Sequence, residues 1–220
     1  MLNKLSGKSA LVLAAGAMVL AVAGIANAGG GANNIKNGNF ETGTFSPGWN
    51  WGCSGCTGTW LVTKKKTTPS GFPWFAPMQG SFSALADEES ADTLYLWQKF
   101  KVGKPNARLT LIADWNNRSV NGWCNLVLDF DYTAPCGPGL NQQFRIDVLA
   151  DGASFDTTDP GDILKTIFQT ADNTPLTQGK TSFQVNLGNI KGKVTVRVVV
   201  VAGDFVLDVG IDSVNINNGN

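Results

Sequence analysis

Apolar and polar residues alternate in short bursts along most of this chain. Leu109, Leu111, Ala113 and Trp115 fall on one side of a two-residue period, as do Phe144, Ile146 and Val148, and then Phe183, Val185 and Leu187. Leu126, Leu128 and Phe130 alternate in the same way with Asn125, Val127 and Asp129. A period of two puts successive side chains on opposite faces of a strand, whereas a helix needs a period of 3.6. Further strands are predicted at Trp60–Thr63, Ser81–Ala86, Leu94–Val102, Val194–Val201 and Phe205–Ile216. Asp162–Thr170 fits a helical stripe as well as a strand, because Ile163, Leu164, Ile167 and Phe168 satisfy both spacings. Gly, Pro, Asn and Asp separate the runs, so the fold class is all-β, a two-sheet sandwich in one domain.

The N-terminus follows a different pattern. Lys4 and Lys8 precede an apolar run from Ala10 to Ile25, and Ala26-Asn27-Ala28 closes it with small residues. This reads as a secretory signal peptide over residues 1–28, the alternative being an uncleaved membrane anchor. A flexible lead follows at 29–34, the sandwich domain at 35–217 and a tail at 218–220. No second apolar run is long enough to span as a helix, so the expected product has no transmembrane segment and is secreted to the extracellular space or cell surface.

Composition narrows the chemistry. The 220 residues include 17 Lys+Arg, 17 Asp+Glu and no histidine. Balanced charge with a single short basic run, Lys64-Lys65-Lys66, argues against nucleic acid as a partner. Without imidazole there is no Ser-His-Asp triad, Cys-His dyad or HExxH zinc site. Carboxylates are abundant, at Asp87-Glu88-Glu89, Asp129 with Asp131, and Asp156, Asp159 and Asp162, but none stands in a recognisable catalytic setting. The chain is therefore read as non-enzymatic. In an oxidising compartment its four cysteines suggest disulfides, with local pairing of Cys53 to Cys56 and Cys124 to Cys136 preferred over the crossed connectivities.

Two end motifs carry a resemblance. Ile35-Lys36-Asn37-Gly38-Asn39-Phe40-Glu41-Thr42-Gly43, followed by Gly48-Trp49, opens the domain, and Val209-Gly210-Ile211-Asp212-Ser213-Val214-Asn215-Ile216 closes it. The pair resembles the ends of galactose-binding-like jelly rolls, including family 4/9 carbohydrate-binding modules and related secreted bacterial domains. Gly80-Ser81-Phe82-Ser83-Ala84-Leu85 and Leu96-Trp97-Gln98-Lys99-Phe100 are similar to strands of the same family. The resemblance implies a jelly-roll topology over residues 35–216. It also implies a structural calcium ion (Ca2+) held by Glu41 and Asp212, although each carboxylate could instead serve only as a hydrogen-bond acceptor for nearby backbone.

Seven tryptophans remain to be explained. Trp49, Trp60 and Trp97 fall in or beside structural positions and are read as packing. Trp74 sits in a Pro-rich segment, while Trp115 and Trp123 flank a polar loop containing Asn117 and Arg118. Aromatic faces beside amides and a guanidinium suit sugar stacking, and they also suit a protein interface or plain loop packing. Two functional classes fit: a secreted carbohydrate-binding module for an extracellular or cell-wall polysaccharide, and a self-associating structural protein of the cell surface or extracellular matrix. The second could use Val194–Val201 as an exposed edge, although a central buried strand also accounts for its valines.

Overall fold

The computed structural model describes residues 34–75, 77–119, 122–123, 142–171, 173–203 and 205–218. Its strands are β1 (Asn50–Cys53), β2 (Thr59–Thr63), β3 (Ser83–Glu88), β4 (Asp92–Val102), β5 (Arg108–Asn117), β6 (Gln143–Leu149), β7 (Ile163–Gln169), β8 (Thr177–Asn186), β9 (Gly192–Ala202) and β10 (Leu207–Asn217). They form two five-stranded sheets in the orders β1-β4-β9-β6-β7 and β2-β3-β10-β5-β8. Every pairing is antiparallel. The fold is the all-β, two-sheet jelly-roll sandwich that the period-two runs and the end motifs imply. Among the described residues no helix is long and apolar enough to cross a membrane.

The alternation places the core. Leu94, Leu96 and Phe100 of β4, Phe144, Ile146 and Val148 of β6, and Leu109, Leu111 and Ala113 of β5 all turn into one buried cluster between the sheets. Val194, Val196, Val198 and Val200 join them from β9. The intervening Val199 and Val201 pack on the outer face with Tyr95, Trp97 and Phe155. A strand buried on both faces favours apolar residues on both, which accounts for the four consecutive valines at 198–201. Because β9 pairs with β4 on one side and β6 on the other, Val194–Val201 is not an edge. Self-association by strand addition there is thereby removed.

Two other sequence readings resolve here. The ambiguous 162–170 segment is a strand, β7, entered through a 3-10 turn at Pro160–Asp162 that the Asp159 side chain caps. Cys53 and Cys56 form a disulfide, as the local pairing requires. The Asp92 carboxylate gathers the loop beneath it, accepting from the N–H groups of Gly55, Thr57 and Thr93 and from the Ser54 hydroxyl. Burial pushes the Asp92 carboxyl up, but those donors hold it below its ordinary value. Cys124, Cys136, Leu126–Phe130, Asp129 with Asp131, and the whole signal segment lie outside the described residues.

Candidate functional site

The two end motifs meet. Residues 35–43 form tight turns in which Asn37 and Phe40 have positive φ, and this segment crosses the middle of β10. The Val214 N–H donates to the Gly38 carbonyl at 2.8 Å, while a Cβ on Gly38 would run into the Val214 carbonyl. Glycine is therefore required at position 38 by close approach. Trp49 fixes the turn from the other side, donating its indole N–H to the Asn37 carbonyl and packing against Phe40 at 5.3 Å.

This crossing brings Glu41 and Asp212 to one loop. Glu41 Oε1 accepts from the N–H groups of Ser81 and Phe82 at 2.8 and 2.9 Å. Asp212 accepts from the N–H groups of Gln79 and Ser213. Burial pushes the Asp212 carboxyl up to about 7; the Gln79 and Ser213 donors oppose that rise, and the charge of Glu41 adds to it. On the neighbouring strand, burial and the charge of Asp212 push Asp114 up to about 8. Asp114 Oδ1 is buried with no hydrogen-bond partner. Each carboxylate is thus surrounded by more negative charge, and no salt bridge among the described residues reaches any of the three. The oxygen donors and uncompensated charge fit a hard cation such as calcium. Among the described residues, however, no group of three or more His, Cys, Asp or Glu converges to hold a metal. Backbone, amide or water oxygens would have to complete a shell around Glu41 and Asp212.

Beside this pair lies a recess of about 500 Å³, lined chiefly by Asn37, Asn39, Glu41, Gln79, Ser213 and Asn215. It lies where β10 bulges between Asp212 and Asn215, with Ser213 at φ 52°, at the crossing of the opening turn.

The loop residues singled out from sequence are brought together in two groups, both turned inward. Trp115 is 3% exposed and Trp123 8%; both indole N–H groups donate to the Pro175 carbonyl, at 2.9 and 3.3 Å. Asn117 beside them donates to the Gly122 carbonyl and accepts from Ser119 N–H and Gln142. Trp74, 7% exposed, packs over Gly210 on the outer face of the second sheet. Arg118 secures that segment, donating to Asp208 and to the Pro73 carbonyl and lying over the Phe72 ring at 4.4 Å. In this conformation the three indoles are packing residues and offer no open ring face.

The exposed indole is a different one. Trp51, on edge strand β1, is 41% exposed. Trp97 is half-buried and stacks on Phe155 with ring centroids 3.9 Å apart and planes 4° from parallel. Phe155 is held by Arg197, which is buried and donates to the Phe155 and Thr157 carbonyls and to Asp147. Periodicity could not find Trp51, because β1 is short and Gly48, Gly52, Cys53 and Gly55 all lie within four positions of the indole.

These features define a class by architecture: a jelly-roll sandwich of the kind used by carbohydrate-binding modules. Solved structures similar to the chain include a family 61 carbohydrate-binding module in complex with β-1,4-galactotriose, at TM-score 0.52 and 16% identity, covering 85% of this chain and 99% of that one. A second is a carbohydrate-binding module of the β-sandwich superfamily described as promiscuous in specificity, at TM-score 0.50 and 14% identity, covering 81% of this chain and 60% of that one. A xylan-binding family 22 module from Paenibacillus barcinonensis aligns at TM-score 0.40 and 14% identity over 84% of this chain and 92% of that one. No family model and no curated protein matches the sequence.

Proposed function

We propose that this chain is an exported, non-catalytic carbohydrate-binding domain, recognising an extracellular or cell-wall polysaccharide and stabilised by calcium at Glu41 and Asp212. The observation that carries the reading is the shared fold: the sandwich aligns along nearly the whole of a module that holds a galactotriose. The use of the acidic side chains supports a non-catalytic role. Asp87, Asp92, Asp147 and Asp212 are each occupied by backbone N–H groups, hydroxyls or guanidinium groups, so they serve the fold. Trp51 offers an exposed ring for stacking on a sugar face.

The test is retardation of residues 29–220 in gels containing β-1,4-galactan, xylan, mixed-linkage glucan or cellulose derivatives. Retardation by at least one, weakened in Trp51→Ala, is the expected result. Migration unchanged by every polysaccharide, with assemblies growing in solution, would replace this reading with the self-associating one.

A further inference from the structure

We propose that the recess between the opening turn and the β10 bulge binds an uncharged sugar residue through hydrogen bonds alone, without an aromatic platform. This rests on the glycan-binding reading and names a site for it. At about 500 Å³ the recess is within the size range of small-molecule sites, about 300–1,000 Å³. Its lining contains neither an aromatic ring nor a Lys or Arg side chain. What it does contain is a set of amides and one carboxylate whose bonding is incomplete. Gln79 spends its carbonyl oxygen on the Ser213 hydroxyl and keeps its NH2. Asn39 spends its oxygen on the Glu41 N–H and keeps its NH2. Glu41 spends Oε1 on two backbone N–H groups and keeps Oε2. Asn215 lines the recess as well, while its backbone carbonyl accepts from the Thr110 hydroxyl.

Amides that can donate and a carboxylate that can only accept match hydroxyl groups, each of which does both. No Lys or Arg side chain lines the recess to pair with the carboxylate of a uronic acid or with a sulfate, which favours an uncharged sugar. Two glycines let the walls approach each other: a Cβ on Gly80 would collide with the Glu41 carboxylate, and one on Gly38 with the Val214 carbonyl. Both walls are held by the fold itself, through the Val214 N–H to Gly38 bond and the Glu41 bonds to residues 81–82, so the site is formed before any ligand arrives.

The experiment is a side-chain amide NMR titration of residues 29–220 with methyl β-D-galactopyranoside, methyl β-D-glucopyranoside and methyl β-D-glucuronide, in calcium-containing buffer. Saturable shifts of the Gln79, Asn39 and Asn215 NH2 signals with a neutral glycoside, weaker with the glucuronide, are expected. Gln79→Ala and Asn215→Ala should each raise the Kd about tenfold, the upper end of a lost hydrogen bond, with the thermal melt unchanged. Shifts that map elsewhere, or variants that bind as the parent does, overturn the proposal. If polysaccharide gels retard the protein and the recess variants equally, the site is wrong and the functional reading stands. If the glycoside binds in the recess while no polysaccharide retards the protein, the site is right and the polymer is not its ligand.

Discussion

Asp208 and Asp87 stand directly opposite each other on β10 and β3, within hydrogen-bonding reach, on the outer face of the second sheet. Asp87 is held by the Ser70 N–H and hydroxyl, both at 2.7 Å, and Asp208 Oδ2 by Arg118 at 3.3 Å. Asp208 Oδ1 receives no donor from any other group. Arg118 reaches Asp208 alone, and burial together with the neighbouring Asp87 raises the Asp208 carboxyl, so that it can donate to Asp87. Through Ser70 on Asp87 and Arg118 on Asp208, the pair fastens the segment carrying Ser70 and Trp74 to the sheet.

The consequence is a stability that falls with rising pH. Burial, then the hydrogen bond to Asp87 and its charge, raise Asp208 from 3.8 to about 8, against the opposing pull of Arg118. Burial and the charge of Asp92 raise Glu88 from 4.5 to about 8. A folded state that binds protons more tightly than the unfolded chain has its full advantage below about pH 4 and loses it progressively up to about pH 8. The expected loss is on the order of a few kcal/mol. Urea denaturation at closely spaced pH values should show this decline, and Asp208→Asn, which cannot ionise, should lessen it by the Asp208 share. A parent protein whose stability climbs over the same interval would contradict the shared proton.

Much of this architecture is legible in the residues, and the reason is periodicity. Phe144, Ile146 and Val148 had to face one way and their neighbours the other, whatever the partners were. The meeting of Glu41 with Asp212 followed from the end motifs. Direction toward solvent was not legible for the tryptophans. Trp74 lies in a Pro-rich loop and Trp115 at a strand end, and both are buried because a covering segment or the Pro175 carbonyl receives them across the fold. The acidic face was equally hidden: Asp87, Asp114, Asp208 and Asp212 are scattered in sequence and converge only through the β3-β10-β5 register. The recess depends on a single bulge, which leaves no mark in the apolar pattern.

On the first sheet, Asp147 and Arg197 are both 0% exposed, and Arg145 pairs with the same carboxylate at 2.8 Å. Arg197 also holds the 155–157 backbone over Val199 and Tyr95. Breaking a buried ion pair from one side strands the other charge, at a cost of about 3–5 kcal/mol. Asp147→Asn is expected to lower stability by that amount in chemical denaturation. A change below about 1 kcal/mol, the size of an exposed pair, would mean that water reaches Arg197.

The Cys53–Cys56 bridge closes a very short loop. The unfolded chain loses little freedom to such a closure, and loop-entropy arithmetic gives about 2 kcal/mol. Because Asp92 independently binds the N–H groups of Gly55 and Thr57, the loop keeps its course without the bridge. The double variant Cys53→Ser/Cys56→Ser should therefore fold, with a melting temperature lower by several degrees. Failure to fold would assign the bridge a role in forming the sandwich that its local geometry does not suggest.

Calcium can be separated from simple hydrogen bonding at the chain-end junction. If Glu41 and Asp212 serve only to accept backbone N–H groups, the melting temperature is indifferent to calcium, and Glu41→Gln costs the same with or without the ion. If they hold calcium, the folded state gains binding energy that the unfolded chain lacks. A ligand at about one hundred times its Kd adds about 2.7 kcal/mol, which for a domain of this size raises the melting temperature by several degrees. Chelator-treated protein should then melt lower than protein refilled with calcium, magnesium should restore less, and Glu41→Gln should abolish the response while leaving the metal-free melt nearly unchanged. Asp212 is the less suitable position for this test, since its side chain is buried and holds two backbone bonds whose loss would lower stability in either case. Identical melts for stripped and refilled protein would leave Glu41 as the acceptor that fixes residues 81–82 to the opening turn, and nothing more.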